Sequence, residues 1–337
     1  MAGAALALAP LFLPAIVGNP GLARSGGPIA QAFALGMPGL CLFMAMAAFH
    51  EARGNVVPVL WAVTFGIVVN AFGNAVLLSR GGDAAEMAWS VAMVTSTARW
   101  LMCAALILLT IGGRPRNASG LADCTLRLLR IGAPMAFASM LESSAFTTIA
   151  LIATRFGADA VAAYEISSTV VRIAHLPALG LGAAATVLVG RALVDGQARR
   201  ARDTVRAGYA VVLALMAVVA LPLLALPEAT GQWFSSEARV LDLLATLFPI
   251  TAAIVVADGA QAVLAGSLRG HGDVLVPAGL HILSFWLIAV PLGFWLGIRL
   301  DWSIDGCAAA LAAGLVAATF AFSIRLRCLS PLSPKHV

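Results

Sequence analysis

Two acidic residues lie well inside long apolar stretches of the sequence, where a charge is costly. Glu142 lies in the stretch that begins at Pro134, and Asp258 is followed three residues later by Gln261. A carboxylate inside a membrane span usually faces a cavity or an ion pathway, where a proton, a cation or a hydrogen-bond donor stabilises it. In a helix, Gln261 shares a face with Asp258. We predict that Glu142, Asp258 and Gln261 bind a cation or a cationic substrate. The alternative is that they only hydrogen-bond to neighbouring helices.

A second set of ionisable residues lies within one apolar stretch. Glu165 and Arg172 are two helical turns apart on one side of a helix, and His175 follows Arg172 by three residues. We expect Arg172 to be the counter-ion of Glu142 or of Glu165, and we include it in the predicted binding site. His175 could relay protons, although an isolated histidine near a proline is more often a packed polar residue.

The composition places these residues in a membrane protein. Of the 337 residues, 61% are hydrophobic and 11% are charged, whereas a soluble domain carries about 25% charged residues. The mean hydropathy is +0.95. These values exclude an ordinary soluble enzyme, a disordered chain and a nucleic-acid-binding domain. The sequence has no phosphate-binding glycine loop, zinc-protease motif or serine-hydrolase elbow, so we predict neither an enzyme nor a bound cofactor, and no nucleic-acid partner.

The apolar runs predict an all-α polytopic membrane protein with about ten spans. Short polar or Gly/Pro-rich segments separate the runs, and the first run is short for a span. The predicted spans are 3–18, 28–49, 56–79, 86–111, 126–153, 162–190, 205–227, 240–267, 275–298 and 304–326.

The basic residues predict the orientation of the spans. Of the 21 Lys and Arg residues, 14 lie in one set of alternate loops and the C-terminal tail, five lie in the other set, and Arg99 and Arg172 lie inside spans. Because Lys and Arg accumulate on the cytoplasmic side, the loop 191–203 and the C-terminus are predicted to be cytoplasmic. The preference for Arg, Ala and Gly is typical of a GC-rich bacterial genome, so we expect a bacterial inner membrane, with the lipid bilayer as a partner.

A short pattern occurs twice, each time at the predicted cytoplasmic end of a span. Arg53 and Gly54 begin the first copy, and Arg269 and Gly270 begin the second, which also contains Asp273. The copies are 216 residues apart at the Arg and 219 apart at the proline that ends each copy. Internal repeats of this kind are typical of transporters built from two similar bundles. Chance similarity between two Gly-rich loops is the alternative.

The repeat predicts two lobes of unequal length. We expect an incomplete N-terminal lobe over 1–112, a cytoplasmic linker over 113–125, a six-helix C-terminal lobe over 126–327 and a cytoplasmic tail over 328–337. Six predicted spans begin at residue 126 or later, but only four precede it. A layout of six plus six spans would therefore lack two spans and part of a third, about 95 residues, ahead of Met1.

Three stretches of the sequence carry a family resemblance. They are 131–164, 179–208 and 258–293, and the third is the most specific. They resemble helices seven, eight, ten and eleven of the multidrug and toxic compound extrusion (MATE) family. The similarity extends over nearly the whole chain, from the tail of the family's helix three through helix twelve. About ten of the expected twelve segments would then be present.

The resemblance implies a fold and a function. It implies two six-helix lobes around a central cavity, and export of amphipathic, often cationic compounds in exchange for Na+ or H+. The family's acidic residues in helices seven and ten fall on Glu142 and Asp258, and Tyr164, which ends the first stretch, joins the predicted site. The family's acidic residue in helix one has no counterpart among the predicted spans, so a coupling site there would be missing.

The sequence therefore predicts a monomeric multidrug efflux transporter, a secondary antiporter coupled to Na+ or H+. One alternative is a lipid-linked oligosaccharide flippase of the same superfamily, which would need more basic residues in its cavity than Arg172 and Arg99. The other alternative is a non-functional truncated remnant.

Overall fold

A computed structural model describes residues 20–81, 83–110 and 121–329. The predicted span 3–18, most of the predicted linker 113–125 and most of the predicted tail 328–337 lie outside the described residues. The described helices are α1 (Pro20–Arg53), α2 (Val57–Arg80), α3 (Ala84–Thr110), α4 (Leu121–Ala153), α5 (Ala158–Val194), α6 (Ala198–Ala225), α7 (Pro227–Gly231), α8 (Ala238–Gly270), α9 (Leu275–Arg299) and α10 (Ser303–Leu329).

Within these ranges, nine helices are long and apolar enough to cross a membrane. They match nine of the ten predicted spans, and the protein is therefore a multi-pass membrane protein. The observed helices extend beyond the apolar runs because charged residues also continue a helix at the membrane surface. The clearest case is α5, which begins one residue before Asp159 and continues past Arg191 to Val194.

The described residues divide into two compact units, one formed by α1–α3 and the other by α4–α10. In the first unit, α3 packs against α1 and α2, and its Ser96 and Trp100 side chains donate hydrogen bonds to the carbonyl oxygens of Ala32 and Leu35. In the second unit, α8 is the central helix and packs against α5, α6 and α10. Its segment 257–264 is buried throughout.

Close backbone contact joins α5 to α8. A Cβ atom added at Gly266 of α8 would lie against the backbone of Gly182 of α5, so the two backbones approach as only glycine permits. One turn further along α5, the Thr186 hydroxyl donates hydrogen bonds to the carbonyl oxygens of Gly182 and Gly266, at 2.9 Å each. These contacts fix the position of α5 relative to α8.

The helix α9 is irregular in its middle. It is α-helical over Leu275–Leu283 and then widens into π-helical turns over Ser284–Ala289 and Trp295–Arg299. Pro291 follows the first wide stretch and has no N–H to donate to the preceding turn. Wide turns of this kind are frequent near functional sites.

Both copies of the sequence repeat end a helix with the same cap. In the first copy, the Gly54 N–H donates to the Glu51 carbonyl and the Asn55 N–H donates to the His50 carbonyl. In the second copy, the Gly272 and Asp273 N–H groups donate to the Arg269 and Leu268 carbonyls. These bonds define a Schellman cap, in which the glycine adopts a left-handed conformation.

The caps correct the alignment of the repeat. Gly54 and Gly272 have φ angles of 75° and 78°, and the helices that follow begin at Val57 and Leu275. Gly54 therefore corresponds to Gly272, not to Gly270, and the copies are 218 residues apart. The Arg-Gly dipeptides suggested the wrong register because Gly270 serves a different purpose: it lies where α8 closely approaches Thr186 and Val189 of α5.

Replacing Gly272 with alanine is expected to destabilise the protein by about 1–2 kcal/mol, because a Cβ atom is unfavourable in the left-handed conformation. Gly279→Ala is the matched control, since Gly279 lies within α9 and an added Cβ meets no atom within 4 Å. Thermal unfolding of the two purified variants in detergent checks the prediction. Equal melting temperatures would contradict it.

Candidate functional site

Four helices of the second unit bring a polar cluster together inside the membrane span. Glu142 comes from α4, His175 from α5, Asp258 and Gln261 from α8, and His281 from α9. We refer to these five residues as the acid–histidine cluster. Asp258 and Gln261 are one helical turn apart, so α8 links the two halves of the cluster.

Asp258 and His175 form the first half. The distance from His175 Nδ1 to Asp258 Oδ2 is 2.5 Å, and the Asp258 side chain is 8% exposed. A hydrogen bond between two ionisable groups is stronger when either is charged. A proton on the imidazole would therefore pair with the buried carboxylate, and the close α5–α8 packing holds the two side chains at this distance.

Gln261, His281 and Glu142 form the second half. The Gln261 amide lies 2.6 Å from His281 Nε2, and the same nitrogen lies 3.6 Å from Glu142 Oε1. With the amide N–H donating, His281 Nε2 accepts and the ring proton is on Nδ1. The imidazole ring is held between Phe285 and Phe322, with ring centroids at 5.0 and 5.8 Å.

One amide atom in the cluster has no hydrogen-bond partner among the described residues. Gln261 Oε1 is buried and makes no hydrogen bond within the part of the chain that the structure describes. A buried amide oxygen can accept a hydrogen bond or contact a cation, and leaving it unsatisfied is costly. The cluster therefore has spare capacity to accept a proton donor or a cation.

The structure brings together three of the five predicted binding residues: Glu142, Asp258 and Gln261. Arg172 was expected to pair with Glu142 or with Glu165. Its Nη2 lies 3.5 Å from Glu165 Oε2, so Glu165 is the partner. Tyr164 lies in the hydrophobic core of the second unit and is 5% exposed. Its environment is that of a packing residue.

The predicted repeat-loop residues lie at helix ends. Among them, Arg269 is close enough to the acid–histidine cluster for its charge to act on Glu142 and His281. The Arg53 guanidinium stacks 4.2 Å from the centre of the Phe49 ring. Arg325 Nε donates to Asp273 Oδ2 at 2.7 Å, which ties the α8–α9 loop to α10. Arg269 Nε donates to the Ala265 carbonyl. These contacts stabilise the loops and their helix ends.

Sequence reasoning missed His281. It lies in an apolar span, and the rule that singled out Glu142 and Asp258, an ionisable residue inside a span, applies to it equally. His281 belongs to the site because its Nε2 lies close to Gln261 and Glu142, which are on other helices. Within the described residues, no three His, Cys, Asp or Glu side chains are placed to hold a metal ion. Each acid of the cluster instead lies beside one histidine.

Comparisons with known proteins agree on one family. A family model described as MatE matches residues 134–295. The chain is 31% identical to the probable multidrug resistance protein NorM of Rhodopseudomonas palustris, and the match covers 94% of this chain and 70% of the relative. It is 28% identical to the protein of the same description from Xanthomonas axonopodis, with 96% and 72% covered.

Solved structures show the same fold. A eukaryotic MATE transporter superposes with a TM-score of 0.86 at 18% identity, covering 96% of this chain and 74% of that one. An outward-facing multidrug resistance transporter of the MATE family superposes with a TM-score of 0.80 at 15% identity, with 96% and 74% covered.

Proposed function

The chain belongs to the MATE family of transporters, and from this premise we propose that it is a multidrug efflux transporter. It acts as a secondary antiporter, exporting amphipathic and cationic compounds in exchange for Na+ or H+. It works as a monomer in a bacterial inner membrane, with its C-terminus in the cytoplasm. The relatives described as multidrug resistance proteins support multidrug efflux.

The acid–histidine cluster is the observation that carries this proposal. It places two carboxylates inside membrane-spanning helices, together with a buried amide oxygen, Gln261 Oε1, that has no hydrogen-bond partner among the described residues. A cation that enters the cluster competes with the histidines for these carboxylates. Because Glu142, His175 and His281 lie on three separate helices, the competition changes the contacts between helices.

Coupling requires that the cluster bind its ion with different affinity in two conformations, since a ligand shifts an equilibrium only through differential affinity. The helices that carry the cluster suit this requirement. In α9, His281 lies three residues before the π-helical turns, and α5 contains Pro177 two residues after His175. Both helices have weakened backbone hydrogen bonding close to the ion-binding side chains.

A flippase for a lipid-linked diphosphate is less well supported. Such a substrate needs several basic side chains in the membrane, whereas Arg172 and Arg99 are the basic residues that the sequence places deep inside spans.

Transport by the purified chain in proteoliposomes tests the proposal. We expect an imposed Na+ or H+ gradient to drive movement of a fluorescent lipophilic cation, and the matching ionophore to stop it. Protein-free liposomes under the same gradient are the control. No movement above that control under either gradient would contradict the proposal and favour an inactive chain.

A further inference from the structure

The helix α5 carries an ion pair on its outer face. Glu165, Thr169 and Arg172 follow one another at helical spacing, and the side chains of Arg172 and Glu165 are 63% and 54% exposed. The buried face of α5, which includes Ser167, Val170 and Ala174, lies on the opposite side of the helix. The second unit therefore does not cover the pair with its own helices.

The position of the pair indicates a water-accessible surface. Both residues lie within the membrane-spanning part of α5, which runs over Ala158–Val194. Charged side chains at such depth almost always face a bundle interior or a water-filled cavity, because contact with lipid tails is costly. We therefore expect this face of α5 to contact water rather than lipid tails.

The Arg172 guanidinium has donors to spare. Among the described residues, its hydrogen bonds are made by Nη2, to Thr169 Oγ1 at 2.8 Å and to Glu165 Oε2 at 3.5 Å. The contact with Glu165 is long and single. An arginine can bind a carboxylate through two parallel N–H groups, so an incoming carboxylate can compete with Glu165 for this side chain.

The surroundings of Arg172 suit an amphipathic molecule. Ile173 and Leu176 beside it are 61% and 67% exposed and provide an apolar surface. One turn beyond Arg172, His175 reaches Asp258 of the acid–histidine cluster. Arg172, the exposed apolar side chains and the histidine that contacts Asp258 thus lie within about one turn of α5.

We infer that Arg172 and its α5 face form an anion-recognising subsite for zwitterionic amphiphiles: it holds the carboxylate of a molecule whose cationic group is directed toward the acid–histidine cluster. This inference rests on the proposed function and adds to it the class of substrate that this face selects. Glu165 acts as the internal competitor that occupies Arg172 when no carboxylate is bound.

Two rhodamine dyes that differ in one group test the subsite. One carries a free benzoate and is zwitterionic, and its methyl ester is cationic. Binding to the purified full chain in detergent is measured by fluorescence anisotropy. We expect Arg172→Gln to weaken binding of the free acid about tenfold, the usual range for one charge-assisted contact, and to change binding of the ester less than about twofold. Glu165→Gln is expected to strengthen binding of the free acid relative to the ester, because the substitution removes the residue that competes for Arg172.

The outcomes separate the inference from the proposed function. The inference is overturned if the wild type does not bind the free acid, or if Arg172→Gln changes binding of both dyes equally or of neither. If Arg172→Gln loses its fold, Glu165→Gln decides alone: a raised preference for the free acid supports the subsite, and an unchanged or lowered preference refutes it. A chain that shows this binding pattern but transports neither dye would support the subsite and contradict the proposed transport.

Discussion

Asp258→Asn is expected to lower gradient-driven export at least about tenfold. Asparagine has nearly the size of aspartate and can still hydrogen-bond to His175, so the fold around the residue should persist. It cannot carry the negative charge that binds a coupling ion. A hydrogen bond to a charged group contributes about 1.5–3 kcal/mol, which corresponds to a factor of about 10–100. The cluster would thus lose ion binding without losing its shape.

The measurement is the initial rate of dye movement in proteoliposomes under the gradient that drives the wild type. Asp159→Asn is the matched control, because Asp159 is an acidic residue of the second unit that lies at the start of α5. Its side chain is 46% exposed, and its Oδ2 lies 3.9 Å from Arg239 Nη1. Glu142→Gln should reproduce the defect. If neither cluster variant slows export relative to Asp159→Asn, the cluster does not couple transport.

The spans could be predicted from the sequence because membrane solvation acts locally. Each run of about twenty apolar residues must satisfy its own backbone hydrogen bonds, and a helix does so without help from other segments. The ends were less predictable, because residues such as Arg191 continue a helix in the interfacial region without being apolar.

The partners of the site residues could not be predicted in the same way. Helical spacing correctly linked Glu165 to Arg172, since both lie on one helix. It gave no means of linking Glu142 to His281 or His175 to Asp258, because these pairs depend on how four helices pack. Burial was equally hard to foresee for Tyr164, which faces the core although its neighbour Glu165 faces outward.

The helix caps of the repeat also separate what the local sequence predicts from what depends on the folded backbone. Alignment by residue identity paired the two Arg-Gly dipeptides, whereas the backbone geometry pairs Gly54 with Gly272. The sequence could not separate a glycine needed for its left-handed backbone from one needed for close helix packing. Gly272 belongs to the first kind, and Gly270 and Gly266 belong to the second.

Close packing at Gly266 leads to the largest expected effect on stability. A Cβ atom at this position would lie 2.1 Å from the Gly182 carbonyl oxygen and 2.8 Å from its Cα. Backbone cannot move aside as a flexible side chain can, so α5 and α8 must separate. We expect Gly266→Ala to cost about 3 kcal/mol, the upper part of the range for overpacking. At about 2–4 °C for each kcal/mol, the melting temperature should fall by roughly 6–12 °C.

The same separation should reach the functional site, because α5 carries His175 and α8 carries Asp258. Gly266→Ala is therefore expected to reduce export in protein that remains folded, beyond what its lower stability explains. Gly180→Ala is the matched control, since Gly180 lies on α5 only two residues from Gly182 but an added Cβ meets no atom within 4 Å. Melting temperature and export rate are measured for both variants at a temperature where each is folded. If Gly266→Ala matches Gly180→Ala in both measurements, close α5–α8 contact at Gly266 is not what positions the acid–histidine cluster.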